Sequence, residues 1–236
     1  PAPEHATLSA LRLTSVGLET VGALPLEKPY TAERYPLRFV PTPEEQHWVT
    51  ERLEAAGIGA ETPVVVIHPG SGAAVKLWRP EAWSVCADTL AASSTTQIVL
   101  TGGKGEQALL EEIAQRMTAE ALLVTDATVG QLAALLQRAR LVLGVDSGPL
   151  HLAVAQTTPT VEIFGPSDPR IFGPWGAPER HIVVQARHRC PTCPAIPCNR
   201  LAIPAEEVAA HPCVRLVTEQ EVLAAAGRLG HVRHVV

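Results

Sequence analysis

From Pro63 onward the chain alternates short, continuously apolar runs with longer stretches whose apolar positions recur at helical spacing. Val64-Val65-Val66-Ile67 is an unbroken β-branched run, the pattern of a strand covered on both faces. Similar runs at 97–100, 121–124, 141–145, 160–164 and 181–184 predict five more strands. Between them the spacing predicts helices over 80–92, 106–117, 128–138 and 149–155. Thr128 with Gln131, and Thr218 with Glu221, have the spacing of capping boxes. The second opens a closing helix that should end near Ala226, before Gly227. Strands alternating with helices across short turns imply right-handed crossovers and a parallel sheet covered on both sides. The expected fold is therefore a doubly wound α/β domain over roughly residues 60–190.

The first 62 residues read differently. Leu8, Leu11, Leu13, Val16 and Leu18 keep neither period for long, and Pro25, Pro29, Pro36, Pro41 and Pro43 break up the next stretch of chain. Thr42-Pro43-Glu44-Glu45 then supplies a cap, an N1 proline and an N3 glutamate for a helix stopped by Gly57. The expected division is a linker or domain remnant over 1–62 and the α/β domain over 63–236. The start at Pro1 reads as a cut or processed end.

Composition narrows the function classes. An apolar content of 46% over 236 residues supports a real core and excludes a disordered chain. A net charge of −5 argues against nucleic-acid binding, which normally needs a basic stripe. No apolar run reaches the 18 or so residues of a membrane span.

In an open parallel sheet, ligands bind beyond the carboxyl ends of the strands, so the loops there carry the chemistry. After the first strand comes His68-Pro69-Gly70-Ser71-Gly72, with Lys76 soon after. This is either a turn with a solvated lysine or a loop aiming N–H groups and a cation at an anion. After the second comes Thr101-Gly102-Gly103-Lys104-Gly105-Glu106, which matches neither a GxGxxG fingerprint nor a P-loop. Glu106 suits a ribose hydroxyl or the helix dipole equally well. After the fourth, Asp146-Ser147-Gly148-Pro149-Leu150-His151 turns straight into a helix. Its free N–H groups and the Ser147 hydroxyl make an anion site, while Asp146 would cap, orient His151 or meet a sugar hydroxyl. Gly165-Pro166-Ser167-Asp168 adds a further rigid loop. Together these loops suit a diphosphate-linked ligand.

The motifs HPGS…K-x-W, the TGG loop and GVDSGPLHLAVAQTTPTVEIFGPSDP resemble the C-terminal half of family 9 glycosyltransferases, over about residues 63–226. The resemblance implies a Rossmann-like domain of a GT-B fold, with the N-terminal acceptor domain largely absent from this chain. It implies that Ser71 and Lys76 contact a donor diphosphate, and that Asp146, Ser147 and Gly148 lie against phosphates and sugar with His151 close by; Glu106 is the candidate ribose contact. Ser147 stands where threonine is more common in the family. The implied donor is an ADP-sugar such as ADP-heptose, and the implied acceptor a lipopolysaccharide-core or related glycan. The setting would be cytoplasmic, with any membrane association running through the absent domain. No cofactor and no catalytic metal are implied, and no catalytic base is assigned, because the family's lies in its N-terminal domain. A non-catalytic nucleotide or sugar-phosphate binding module is the alternative; an epimerase of similar architecture would want acidic residues at the cleft that are not found.

Five cysteines remain: Cys86, Cys190, Cys193, Cys198 and Cys213. An odd, clustered set does not look like a disulfide framework and favours a reducing compartment. Cys190-x-x-Cys193 is half of a zinc site, but Cys198 and Cys213 do not form a second CxxC. Free or partly buried thiols are the expectation.

Overall fold

The computed structural model describes residues 3–92 and 95–230. Helices α1 (Ala6–Thr20) and α2 (Pro43–Ala55) precede six strands: β1 (Val64–His68), β2 (Gln97–Thr101), β3 (Ala121–Val124), β4 (Leu141–Val145), β5 (Thr160–Phe164) and β6 (His181–Gln185). Between and after them run α3 (Pro80–Ala92), α4 (Gln107–Arg116), α5 (Val129–Arg138), α6 (Gly148–Ala155), the single turn α7 (Pro169–Phe172) and α8 (Glu219–Arg228). All five strand pairings are parallel, in the order β3-β2-β1-β4-β5-β6. The doubly wound α/β fold expected from the sequence is thus present.

Side-chain alternation along the strands sorts the core into two layers. On one face Val65, Ile67, Ile98, Leu100, Leu141 and Leu143 pack under α3, α4 and α8, through Trp83, Leu90, Leu110, Ile113 and Val222. On the other, Val64, Val66, Val99 and Val142 meet Val49 and Leu53 of α2, Leu135 and Leu136 of α5, and Leu150 of α6. Helix α2 therefore packs into the core of the α/β unit, on the far side of the division expected at Pro63. Capping boxes at Thr42, Thr128 and Thr218 start α2, α5 and α8. α8 runs through Gly227 to Arg228, a little past the expected stop.

The irregular reading of residues 1–40 needs correction, because α1 is a helix of 15 residues. Of its residues only Ser15 is buried, while Leu13 and Val16 are 74% and 60% exposed. Its apolar side chains do not gather on one buried stripe, so periodicity gave no signal. The His5 side chain caps α1, packs against Trp175 and pairs its Nε2 with the Gly173 carbonyl at 3.0 Å. Trp175 in turn donates to the Tyr35 carbonyl. Among the described residues no helix is long and apolar enough to cross a membrane.

Candidate functional site

Chain connections reverse direction between β1 and β4, the two strands at the middle of the sheet. At such a switch point the loops leaving the two strands diverge and open a crevice beyond the carboxyl ends. A cavity of about 360 Å³ occupies that place, lined by His68, residues 70–73, Lys76, Glu106, residues 146–149 and His151. Ser71, Lys76, Glu106, Asp146, Ser147, Gly148 and His151 all line it. The structure brings these seven residues together, whereas Lys104 and the Gly165–Asp168 loop expected on the same rim do not line the cavity. A larger cavity of about 460 Å³ lies between α2 and α5, away from these loops. Chemistry rather than size distinguishes the two.

Each side chain is placed by its own stretch of backbone. Lys76 ends the 3-10 turn Ala74–Lys76, whose Val75 is buried. Two residues on, Trp78 is buried edge-on against Trp83, at 4.8 Å between ring centroids, and its Nε1 donates to the Val217 carbonyl at 2.9 Å. Arg79 donates to the same carbonyl and pairs with Glu219. These anchors hold the lysine loop against the start of α8, so the K-x-W spacing fixes where the ammonium can reach.

The ammonium reaches Asp146. Lys76 Nζ lies 2.5 Å from Asp146 Oδ2, and the two side chains are 15% and 7% exposed. Asp146 is therefore neither a helix cap nor bonded to His151; it neutralises the lysine of the cavity. Ser147 is the extended N-cap of α6 with no side-chain cap bond, and its Oγ is buried without a partner among the described residues. A buried hydroxyl left without a partner costs on the order of 1–3 kcal/mol, and a ligand oxygen at the helix N-terminus would satisfy it.

Glu106 both accepts a backbone N–H at the start of its turn and lines the cavity. Its Oε2 accepts from the Gly103 N–H at 2.7 Å, capping the turn that follows. The other oxygen lies against Gly70, where a Cβ would collide with Oε1. Glycine at 70 therefore lets the carboxylate reach the cavity wall. Ser71 accepts weakly from the Ala73 N–H, at 3.4 Å.

Two histidines set the local charge. His151 has its pKa lowered by burial, opposed by Asp146, with His5 and Lys76 adding to the lowering. His68, the first residue of the HPGS motif, was not among the site residues expected from sequence; it lines the same cavity and its Nδ1 meets Thr101 Oγ1 at 3.0 Å. Burial pushes its pKa down to about 4, against the pull of Glu106. Both rings are thus biased toward the neutral form. The place of His68 at the end of a buried strand was the signal that could have found it.

A family model for glycosyltransferase family 9 (heptosyltransferase) matches residues 35–199, well over half of the sequence. The chain belongs to glycosyltransferase family 9. The family match begins before α2, in keeping with the packing of that helix. Lipopolysaccharide heptosyltransferase 3 of Escherichia coli is 36% identical over 127 residues, which are 52% of this chain and 36% of that protein. The chain thus spans little more than a third of the length of this curated relative. Among solved structures, a family 9 glycosyl transferase from Veillonella parvula superposes with a TM-score of 0.76 at 21% identity, covering 96% of this chain and 60% of its own. The E. coli ADP-heptose lps heptosyltransferase II superposes at 0.63 and 20% identity, covering 81% and 53%. These likenesses support the family 9 fold.

Proposed function

We propose that this chain supplies the nucleoside-diphosphate-sugar site of an inverting heptosyltransferase, with an ADP-heptose donor and a lipopolysaccharide-core or related glycan acceptor. The observation carrying the reading is the single cavity at the β1/β4 switch. There a lysine, two serines and a helix N-terminus converge, and the Ser147 hydroxyl has no protein partner among the described residues. The names of the E. coli relatives supply the heptose, the adenine nucleotide and the lipopolysaccharide.

In this reading Ser71, Ser147, Gly148 and Lys76 hold the pyrophosphate, Glu106 receives ribose hydroxyls, and Asp146 and His151 face the sugar. The acceptor hydroxyl attacks the anomeric carbon while the bond from that carbon to the β-phosphate oxygen breaks. Charge grows on the departing diphosphate, where Lys76 and the α6 dipole stabilise it. The acceptor proton passes to a base on the N-terminal domain that the family resemblance implies, while in this cavity Asp146 is tied to Lys76 and Glu106 to Gly103. The reaction belongs in the cytoplasm, at the inner membrane face where the acceptor is a glycolipid.

Calorimetry of the purified chain against ADP, UDP and GDP tests the site. Saturable binding with ADP ahead of the other two is expected. Equal affinities would remove the adenine assignment, and heat without saturation would remove the site. Glu106→Ala should weaken ADP about tenfold, the size of one hydrogen bond to a charged group. Unaltered ADP affinity in that variant would leave Glu106 only its capping role.

A further inference from the structure

After β6 the chain runs for some thirty residues with no α-helix or strand, only the 3-10 turns Ala205–Ala210 and Val214–Leu216. Irregular stretches of this length inside a compact domain are uncommon without an anchor. Yet Cys190, Cys193, Cys213, Val214 and Val217 are all at most 5% exposed and belong to the core layer under α8. The stretch also braces the loop after β5. A Cβ on Gly165 would collide with Val214 and lie 3.3 Å from Cys213 Sγ, and the Asn199 N–H donates to the Pro166 carbonyl at 2.7 Å.

At the centre of this stretch three soft donors meet. The sulfurs of Cys190 and Cys193 and a ring nitrogen of His211 lie within 4.8 Å of one another, and all three residues are buried. Cys193 Sγ is 3.4 Å from His211 Nδ1. A turn closed by the Cys193 N–H on the Cys190 carbonyl, at 3.1 Å, sets the first two thiols side by side. The Cys213 thiol, two residues after His211, is buried in the same core cluster as Cys190 and Cys193. Tetrahedral zinc with bonds of about 2.3 Å to sulfur and about 2.0 Å to nitrogen holds its ligand atoms roughly 3.5–3.8 Å apart. The ligand atoms of Cys190, Cys193 and His211 thus lie within little more than an ångström of that spacing.

We propose that Cys190, Cys193, His211 and Cys213 form a structural zinc site that staples this irregular stretch to the sheet. The sequence pattern hid it because the second half-site is His-x-Cys rather than CxxC. Three thiolates and an imidazole are a common closed, non-catalytic set. By linking the beginning of the stretch to its end, the ion replaces the secondary structure the stretch lacks.

Elemental analysis of the whole chain, purified without added zinc, should find about one zinc per chain. Cys193→Ser should abolish it, whereas Cys198→Ser and Cys86→Ala should keep it. Because a polar substitution in the core can also prevent folding, cobalt substitution of the unaltered protein gives a second readout: thiolate-to-cobalt charge-transfer bands with tetrahedral visible bands are expected. Zinc removal by a chelator should lower the melting temperature by several degrees. A metal-free protein giving no cobalt spectrum, or a Cys190–Cys213 disulfide in peptide mass mapping, would overturn the site. Stoichiometric iron would overturn the choice of zinc, and zinc loss in Cys198→Ser would overturn Cys213 as the fourth ligand.

Discussion

Lys76→Ala is expected to lower glycosyl transfer about a hundredfold, the scale seen when one group stabilising a developing oxyanion is removed. The effect has two parts. The variant loses the cation that would face the leaving diphosphate. It also strands Asp146, whose side chain is only 7% exposed and whose carboxylate lies 2.5 Å from the lysine. An uncompensated buried carboxylate beside a pyrophosphate repels it, and truncating one partner of such a pair typically costs about 2–5 kcal/mol. Lys76→Ala/Asp146→Asn should therefore bind ADP better than Lys76→Ala alone, by about a factor of ten on the fold-scale of 1.4 kcal/mol per decade. Steady-state transfer from ADP-heptose checks the first part and calorimetry with ADP the second. Unchanged turnover in Lys76→Ala would count against the proposed donor site. A double variant no better than the single one would mean that Asp146 does not act on the phosphates.

The ion pair also marks where sequence reading stopped. The loops were legible because each comes after a run of apolar residues, and parallel sheets place such loops on one rim. The strands matched closely because Val64–Ile67 and Leu141–Val145 are buried on both faces and leave no competing periodicity. Capping boxes made helix starts legible at Thr42, Thr128 and Thr218, since the cap is a local interaction between residues three apart. Contacts between distant segments were not legible. Lys76 and Asp146 are 70 positions apart, and Cys193 and His211 are 18 apart. Helix α1 was missed for another reason: with Leu13 and Val16 exposed, its sequence carries no face to detect.

Stability should respond to pH through a residue outside the cavity. Glu162, on β5, is fully buried; its Oε1 accepts from Thr160 Oγ1 at 2.8 Å and its Oε2 has no partner among the described residues. Burial pushes its pKa up to about 7, against the Thr160 hydrogen bond and with a smaller contribution from Asp146. A carboxyl whose folded pKa lies above its unfolded value of 4.5 stabilises the fold fully below 4.5. That contribution is lost as pH rises through 7. Glu162→Gln keeps the shape and the acceptor but cannot ionise. Any constant cost of burying the amide cancels when two pH values are compared. Between pH 5 and pH 8 the stability difference should move in favour of the variant by roughly 2–3 kcal/mol, from 1.36 kcal/mol per pKa unit. His68 and His181, both held near pKa 4 by burial, act in the opposite sense. Their stabilisation is present above 6.5 and falls away on acidification, equally in both proteins. Denaturant unfolding of wild type and Glu162→Gln at pH 5 and pH 8 isolates the carboxyl. Parallel pH profiles would show that Glu162 titrates alike in the folded and unfolded chain, and that burial does not hold it protonated.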